Sequence, residues 1–366
     1  MKTLPLALGL TLGSLAAGLH AADAPARRNR PPVTASPEIL DDHRIVFRMQ
    51  APQAREVLVL GQWTDGRASL ARNDEGVWET TVGPIAPGVY EYSFSVDGLR
   101  MIDPGNPAIK PMRQPRTSIL HLPGNPPLVH DFQDVPHGVV RSHSYWSRSL
   151  DRLRALTVYT PPGYDAAPDR RYPTLYLQHG SGDNQDTWTV HGKAHWILDN
   201  LLAADRAQPM IVVMMDGHAS LEREGNTAAF ERDLFEDVLP MIEAAYRPAP
   251  GAENRGIVGL SMGGGQSLTV GLNHLDRFAW VGGFSSSAPS VEQIATALQP
   301  PARTRERLRL LWIACGRDDF LLDRNQAFVA ALKEGGIPHE WHLTGGNHSW
   351  PVWRGYLAEF LPRLFR

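Results

Sequence analysis

Arg255-Gly-Ile-Val-Gly-Leu260 runs directly into Ser261-Met-Gly-Gly-Gly-Gln266. The first run is short and apolar and reads as a buried strand; the continuation to Leu272 reads as a helix. A serine between Gly259 and Gly263, on a sharp strand-to-helix turn, is the pattern of a nucleophile elbow. Side chains at the two flanking positions would collide with the neighbouring strand and helix, which is why both are glycine. The first N–H groups of the helix then face the place where negative charge builds up. The same five-residue pattern also occurs in Gly-rich connections around a silent buried serine, so the assignment depends on partners elsewhere in the chain.

The chain has 366 residues, enough for about two domains, with 42% hydrophobic and 20% charged residues. A formal net charge of -3 with no long run of one sign argues against nucleic acid or an anionic membrane as the main partner. Met1-Lys2, an apolar stretch from Leu4 to Leu19 and small residues at Ala21, Ala22 and Ala24 read as a signal peptide over residues 1–22, predicting a secreted or periplasmic protein. No later segment is long and apolar enough to span a bilayer. Cys315 is the single cysteine. An intramolecular disulfide is thus impossible, and its place at the end of Leu308–Ala314 makes it a buried small hydrophobe.

Residues 23–35, rich in Arg, Pro and Ala, read as a flexible leader. Short β-type runs follow over 36–123: Arg44–Arg48, Glu56–Leu60, Val77–Val82 and Val89–Val96. The last of these sets Tyr90, Tyr92 and Phe94 on one face, and Asp97-Gly98 closes it with a tight turn. Ala51-Pro52, Gly61-Gln-Trp63, Gly76-Val-Trp78, Gly88–Phe94, Val96-Asp-Gly98 and Asp103-Pro104 resemble the immunoglobulin-like early-set domains of carbohydrate-active enzymes, notably carbohydrate-binding module family 48. Trp63 and Trp78 are candidates for stacking on sugar rings, with core packing the preferred reading. A Pro-rich connector spans 124–136. From 137 to 366 strands and helices alternate. Met210–Met215 is a strand covered on both faces, and Phe230–Tyr246 is an amphipathic helix interrupted at Pro240. The predicted class is α/β, a mostly parallel sheet with helices on both faces, preceded by a small β-sandwich. No metal-ligand pattern is present and no cofactor is expected.

An activated serine needs a base, a group that orients the base, and donors for an oxyanion. Suitable residues occur in the chain order Ser, acid, His. Cys315-Gly-Arg-Asp-Asp319 follows a sheet strand, so Asp318 or Asp319 would reach the rim that carries Ser261. Gly345-Gly-Asn-His348 follows the next strand, and its glycines would let a loop bring His348 towards the serine. The backbone N–H groups of Met262 and of Ser181, in His179-Gly-Ser-Gly182, are the candidate oxyanion donors. His179 is assigned to shaping that loop.

The region from His137 onward resembles the esterase-D-like hydrolases of carbohydrate esterase family one, which include feruloyl, acetylxylan and enterochelin esterases and mycolyltransferases. The resemblance rests on Val158-Tyr-Thr-Pro-Pro-Gly-Tyr164, His179-Gly180, Trp188, Asp216-Gly217, Phe235–Pro240, Gly259–Gln266, Cys315-Gly316 with Asp319, and Gly346, His348 and Trp350-Pro-Val-Trp-Arg354. It implies an α/β-hydrolase fold, Ser261 as nucleophile, Asp319 as the acid, His348 as the base, and Ser181 and Met262 as oxyanion donors. Trp188 and Trp350 are candidate acyl-pocket residues, with core packing the alternative. One departure stands out: the oxyanion loop continues as Gly182-Asp-Asn-Gln185 where the family often has Gly-Gly-Ser-Glu, leaving the support of that loop open. The implied function is a serine carboxylesterase acting on feruloylated or acetylated plant-wall polysaccharide, with feruloyl groups on xylan leading. Acetylxylan esterase, enterochelin-type esterase and acyltransferase are the alternatives, and a non-catalytic sugar-binding protein is the contrasting class.

Overall fold

Alternating apolar residues build the first layer. In the computed structural model, which describes residues 35–222, 224–298 and 301–366, strand β7 (Gly88–Val96) buries Tyr92 and Phe94 and packs Tyr90 partly against the same core. The strand expectation for this segment therefore holds, while the proposed signal peptide lies outside the described residues. Strands β1 (Glu38–Ile39), β2 (Ile45–Gln50), β3 (Val57–Gly61), β4 (Arg67–Ser69), β5 (Ala71–Arg72) and β6 (Val77–Val82) precede it. β8 (Leu99–Met101) and β9 (Ser118–Leu122) follow. They form two antiparallel sheets, ordered β1-β2-β6-β5 and β4-β3-β7-β8 with β9 on β7. Phe47, Val59, Tyr92, Phe94 and Leu120 fill the space between them. Trp78 is buried, with its indole N–H donating to the Ala51 carbonyl at 2.8 Å; Trp63 is half-buried and stacks on Phe47 at 5.6 Å. Both belong to that packing.

The second layer is a sheet of order β10-β11-β13-β12-β14-β15-β16-β17. Its strands are β10 (Val139–Ser147), β11 (Arg152–Thr160), β12 (Thr174–Gln178), β13 (Ile211–Met215), β14 (Arg255–Leu260), β15 (Trp280–Phe284), β16 (Leu310–Gly316) and β17 (Glu340–Thr344). β10, β11 and β13 pair antiparallel, and from β13 onward all pairings are parallel. This is the α/β-hydrolase arrangement. Side chains of the central strands alternate between two apolar clusters on opposite faces. Ile257 and Ile313 join one with Phe230, Leu234 and Val238; Val258 and Trp312 join the other with Trp188, Leu198 and Phe360.

Two expectations need correction. The helical segment over 226–245 does not break at Pro240. It widens one turn earlier, where Leu234–Val238 forms a π-helical turn closed by the Leu239 N–H on the Leu234 carbonyl, and Pro240 sits in the first turn of the helix Leu239–Ala245. A proline deprives its helix of one donor and crowds the carbonyl four residues back, and the wider turn relieves both. The closing helix, which the sequence pattern puts at Val352–Phe365, runs instead over Trp350–Phe360 and ends in a 3-10 turn, Leu361–Arg363. The two layers are not loosely joined: the described residues from 35 onward form one compact unit. No helix among the described residues is long and apolar enough to cross a membrane.

Candidate active site

β14 ends in the middle of the parallel sheet, and the chain turns sharply into the helix Ser261–Asn273. Ser261 sits at φ +52°, a left-handed conformation that a side-chain-bearing residue adopts only under constraint. The constraint is close packing on both sides. A Cβ at Gly259 would lie 2.6 Å from the Gly263 backbone, and one at Gly263 would lie 2.3 Å from the His179 carbonyl. Only glycine permits this approach, and the result is a serine raised above the sheet edge.

The loops after β16 and β17 meet over that edge. Arg317 and Asp318 donate their N–H groups to the carbonyls of Thr344 and Gly346, at 2.9 and 3.1 Å. Asp318 faces solvent, whereas Asp319 is 5% exposed and points inward. His348 Nδ1 lies 2.9 and 3.0 Å from the two Asp319 carboxylate oxygens, and its Nε2 lies 3.0 Å from Ser261 Oγ. With the Nδ1 proton donated to Asp319, Nε2 is left to accept from the serine hydroxyl. Burial alone pushes the Asp319 carboxyl up. Hydrogen bonds from His348 and from the Leu321 N–H outweigh it and hold the group below its usual range, so it remains an anion at neutral pH.

The candidate oxyanion donors lie on the two segments that border Ser261. Met262 is the second residue of its helix, where an N–H has no intrahelical acceptor. Ser181 follows Gly180, whose Cβ position would stand 3.4 Å from the Ser261 Cβ. The loop is pinned by its neighbours: Gly182 N–H donates to His218 Nε2 at 3.1 Å, and Asp183 N–H to the Gly180 carbonyl at 3.3 Å. His179 is buried beneath it. Its Nε2 accepts the Gly217 N–H at 2.8 Å and its Nδ1 faces the Gly180 carbonyl at 2.8 Å, the loop-shaping position expected from the sequence.

Trp188 and Trp350 require correction as pocket residues. They are 1% and 2% exposed and pack edge-to-face at 4.9 Å, with the Trp188 indole N–H donated to the Gln178 carbonyl. Large rings on the inner face of a helix covering the sheet go to the core. The exposed aromatic at the site is Phe320, which the sequence did not single out. It is 77% exposed and its ring lies 4.5 Å from that of His348. The only sequence signal was its position directly after Asp319. Cys315 is fully buried and its thiol is pushed up to about 12 by burial, which rules it out as a nucleophile at neutral pH. Among the described residues no group of His, Cys, Asp or Glu side chains is arranged to hold a metal ion.

A family model described as an esterase matches residues 147–364. An endo-1,4-beta-xylanase/feruloyl esterase of Xylanibacter ruminicola is 31% identical over 332 residues, which are 87% of this chain and 44% of that protein. The chain thus spans less than half the length of this relative. Among solved structures, a ferulic acid esterase is 28% identical with a TM-score of 0.55, covering 62% of this chain and 97% of the other. The enterobactin esterase FES from Shigella flexneri shares 20% identity and a TM-score of 0.62 over 87% of this chain and 92% of its own, a likeness of fold that extends into the β-sandwich.

Proposed function

Because the chain belongs to the esterase family, we propose that it is a serine carboxylic-ester hydrolase that releases feruloyl groups from esterified xylan. The observation that carries the reading is the continuous line of contacts from Ser261 Oγ through the His348 ring to the Asp319 carboxylate. Ser261 Oγ attacks the ester carbonyl while His348 Nε2 takes its proton. Asp319 stabilises the resulting imidazolium, and the N–H groups of Ser181 and Met262 receive the oxyanion. His348 returns the proton to the departing sugar alkoxide, leaving an acyl-enzyme. The same imidazole then activates a water, which releases the carboxylic acid and restores the serine.

The feruloyl preference rests on the 31% identical relative being an endo-1,4-beta-xylanase/feruloyl esterase and on Phe320, an exposed ring placed to meet a flat aromatic acyl group. The reading of residues 1–22 as a signal peptide places this activity outside the cytoplasm, where polysaccharide is met. Turnover of methyl ferulate, of a short alkyl acetate and of a catechol trilactone, measured spectrophotometrically with wild type and Ser261→Ala, tests the whole reading. Methyl ferulate hydrolysis that vanishes in Ser261→Ala is expected. Turnover of the acetate alone or of the trilactone alone would reassign the acyl group, and activity undiminished in Ser261→Ala would end the serine mechanism.

A further inference from the structure

The segment between β8 and β9 leaves the β-sandwich as a strap, residues 102–117, and reaches the loop that carries Ser181. Its base is fixed. Asp103 accepts from Ser36 Oγ at 2.6 Å and from the Tyr92 hydroxyl at 2.7 Å, and Asn106 donates to Tyr92 and to the Ile119 carbonyl, each at 2.9 Å. The Lys110 N–H bonds the Thr117 carbonyl at 3.1 Å, giving the strap the form of a hairpin. Beyond that point it also contacts the other layer. The Arg113 N–H donates to the Gly182 carbonyl at 3.0 Å, and Thr187 Oγ1 donates to the Pro111 carbonyl at 2.7 Å. Lys110 Nζ lies 3.0 Å from Asp183 Oδ1 and 2.9 Å from Glu91 Oε1, and all three side chains are nearly closed to solvent. Thr117 Oγ1 donates to the second Glu91 oxygen at 2.9 Å.

We propose that Lys110, carried by the β-sandwich, and Asp183, on the loop itself, are positioning residues that hold the Ser181 N–H where the oxyanion forms. The inference rests on the serine-esterase reading above. Its physical basis is the placement of the clamp: Ser181 lies between Gly180, seated on the nucleophile, and Gly182 and Asp183. Gly182 is gripped from one side by His218 and from the other by Arg113, and Asp183 by Lys110. An ammonium held between two buried carboxylates has little freedom to move, and a backbone N–H stabilises an oxyanion only at a fixed distance. The loop thus receives from the first layer a support that its own sequence, Gly182-Asp-Asn-Gln185, does not supply through a glutamate.

The test uses the full chain with Lys110→Met, Asp183→Asn and the double variant, assayed at least 20 °C below each melting midpoint (a margin of about that size keeps the folded fraction near one). Removing Lys110 strands two buried carboxylates and is the more disruptive change; Asp183→Asn keeps the Lys110–Glu91 pair and decides the question if Lys110→Met does not fold. The expected result for Asp183→Asn is a fall in kcat of about 10- to 100-fold with KM changed by about twofold or less, as a misplaced transition-state donor requires. An aryl boronic acid, which forms a tetrahedral adduct on the serine, should lose affinity in parallel, while binding of ferulate itself is unchanged. The double variant should be little worse than the more damaging single one. Folded variants with wild-type kcat and boronate affinity would overturn the inference and leave the esterase reading intact. Retained turnover in Ser261→Ala would instead remove that reading, and the inference with it.

Discussion

The His348 ring is held on three sides: Asp319 at Nδ1, the Phe320 ring at 4.5 Å, and Trp353 edge-on at 4.8 Å. Replacing Asp319 by Asn keeps the shape and removes the anion that favours the productive tautomer and stabilises the imidazolium. Asp319→Asn is therefore expected to lower kcat by about 10³- to 10⁴-fold with a small change in KM, measured on methyl ferulate. Phe320 is the exposed member of the three, open to solvent on its outer side. Phe320→Ala should raise KM for methyl ferulate by about 2- to 10-fold, in line with the worth of one aromatic contact, and leave a short alkyl acetate unaffected; equal effects on both esters would remove Phe320 from the acyl site. Sequence and structure part at this scale for a clear reason. Ser261, Asp319 and His348 were legible because each follows a strand in the order that places it on one rim. The choice between Asp318 and Asp319 was settled by the resemblance, since both suit a turn. Phe320 obeys no periodicity and stands beside a carboxylate, so nothing marked it as a surface ring over the imidazole.

At the level of elements, the sequence identified the buried strands well, because β13, β14 and β16 are continuous apolar runs between turn signals. It did not give β10. That strand, Val139-Val-Arg-Ser-His-Ser-Tyr-Trp-Ser147, lies at the sheet edge with most of its residues open or half-open to solvent, so its apolar pattern is weak. Nor could it show where the last helix docks. Arg354 in that helix is 2% exposed and donates to the Val89 carbonyl of β7 at 2.7 Å and to the His191 carbonyl at 3.1 Å. Its guanidinium is drawn down to about 10 by burial. Arg354→Leu leaves two buried carbonyls without a donor, and a loss of about 2–4 kcal/mol in unfolding free energy is expected from denaturant titration. An unchanged midpoint would mean that the bond from helix to sandwich contributes nothing.

For the whole molecule, the sequence separated a β-sandwich from an α/β layer by the change from short β-type runs to alternating strands and helices, a pattern that says nothing of the contacts at their junction. The strap and Arg354 make contacts across it, and several histidines of the molecule are half-buried. Burial holds the imidazoles of His130, His195 and His218 down to about 4; Arg354 adds to this at His130, Lys193 and His137 at His195, and His179 at His218. The sign of the consequence follows from linkage. Between about 4 and the ordinary histidine value near 6.5 the unfolded chain binds protons that the folded chain does not, so stability rises with pH across that window. The contribution is fully present above about 6.5, is lost as pH falls towards 4, and stays constant below that. Each ring adds a slope of at most about 1.4 kcal/mol per pH unit, less for the partly solvated His130 and His218. Asp183 works in the opposite sense, because burial pushes its carboxyl up against the pull of Lys110 and its protonation favours the folded state. The net expectation is a melting temperature that declines from pH 7 to pH 4. His195→Gln, which removes one proton site at the more enclosed of the three rings, should make that decline shallower while leaving the melting temperature at pH 7.5 and above little altered. Calorimetric melts of both proteins from pH 4 to 8 check it, and parallel curves would show that His195 titrates alike in the folded and unfolded chain.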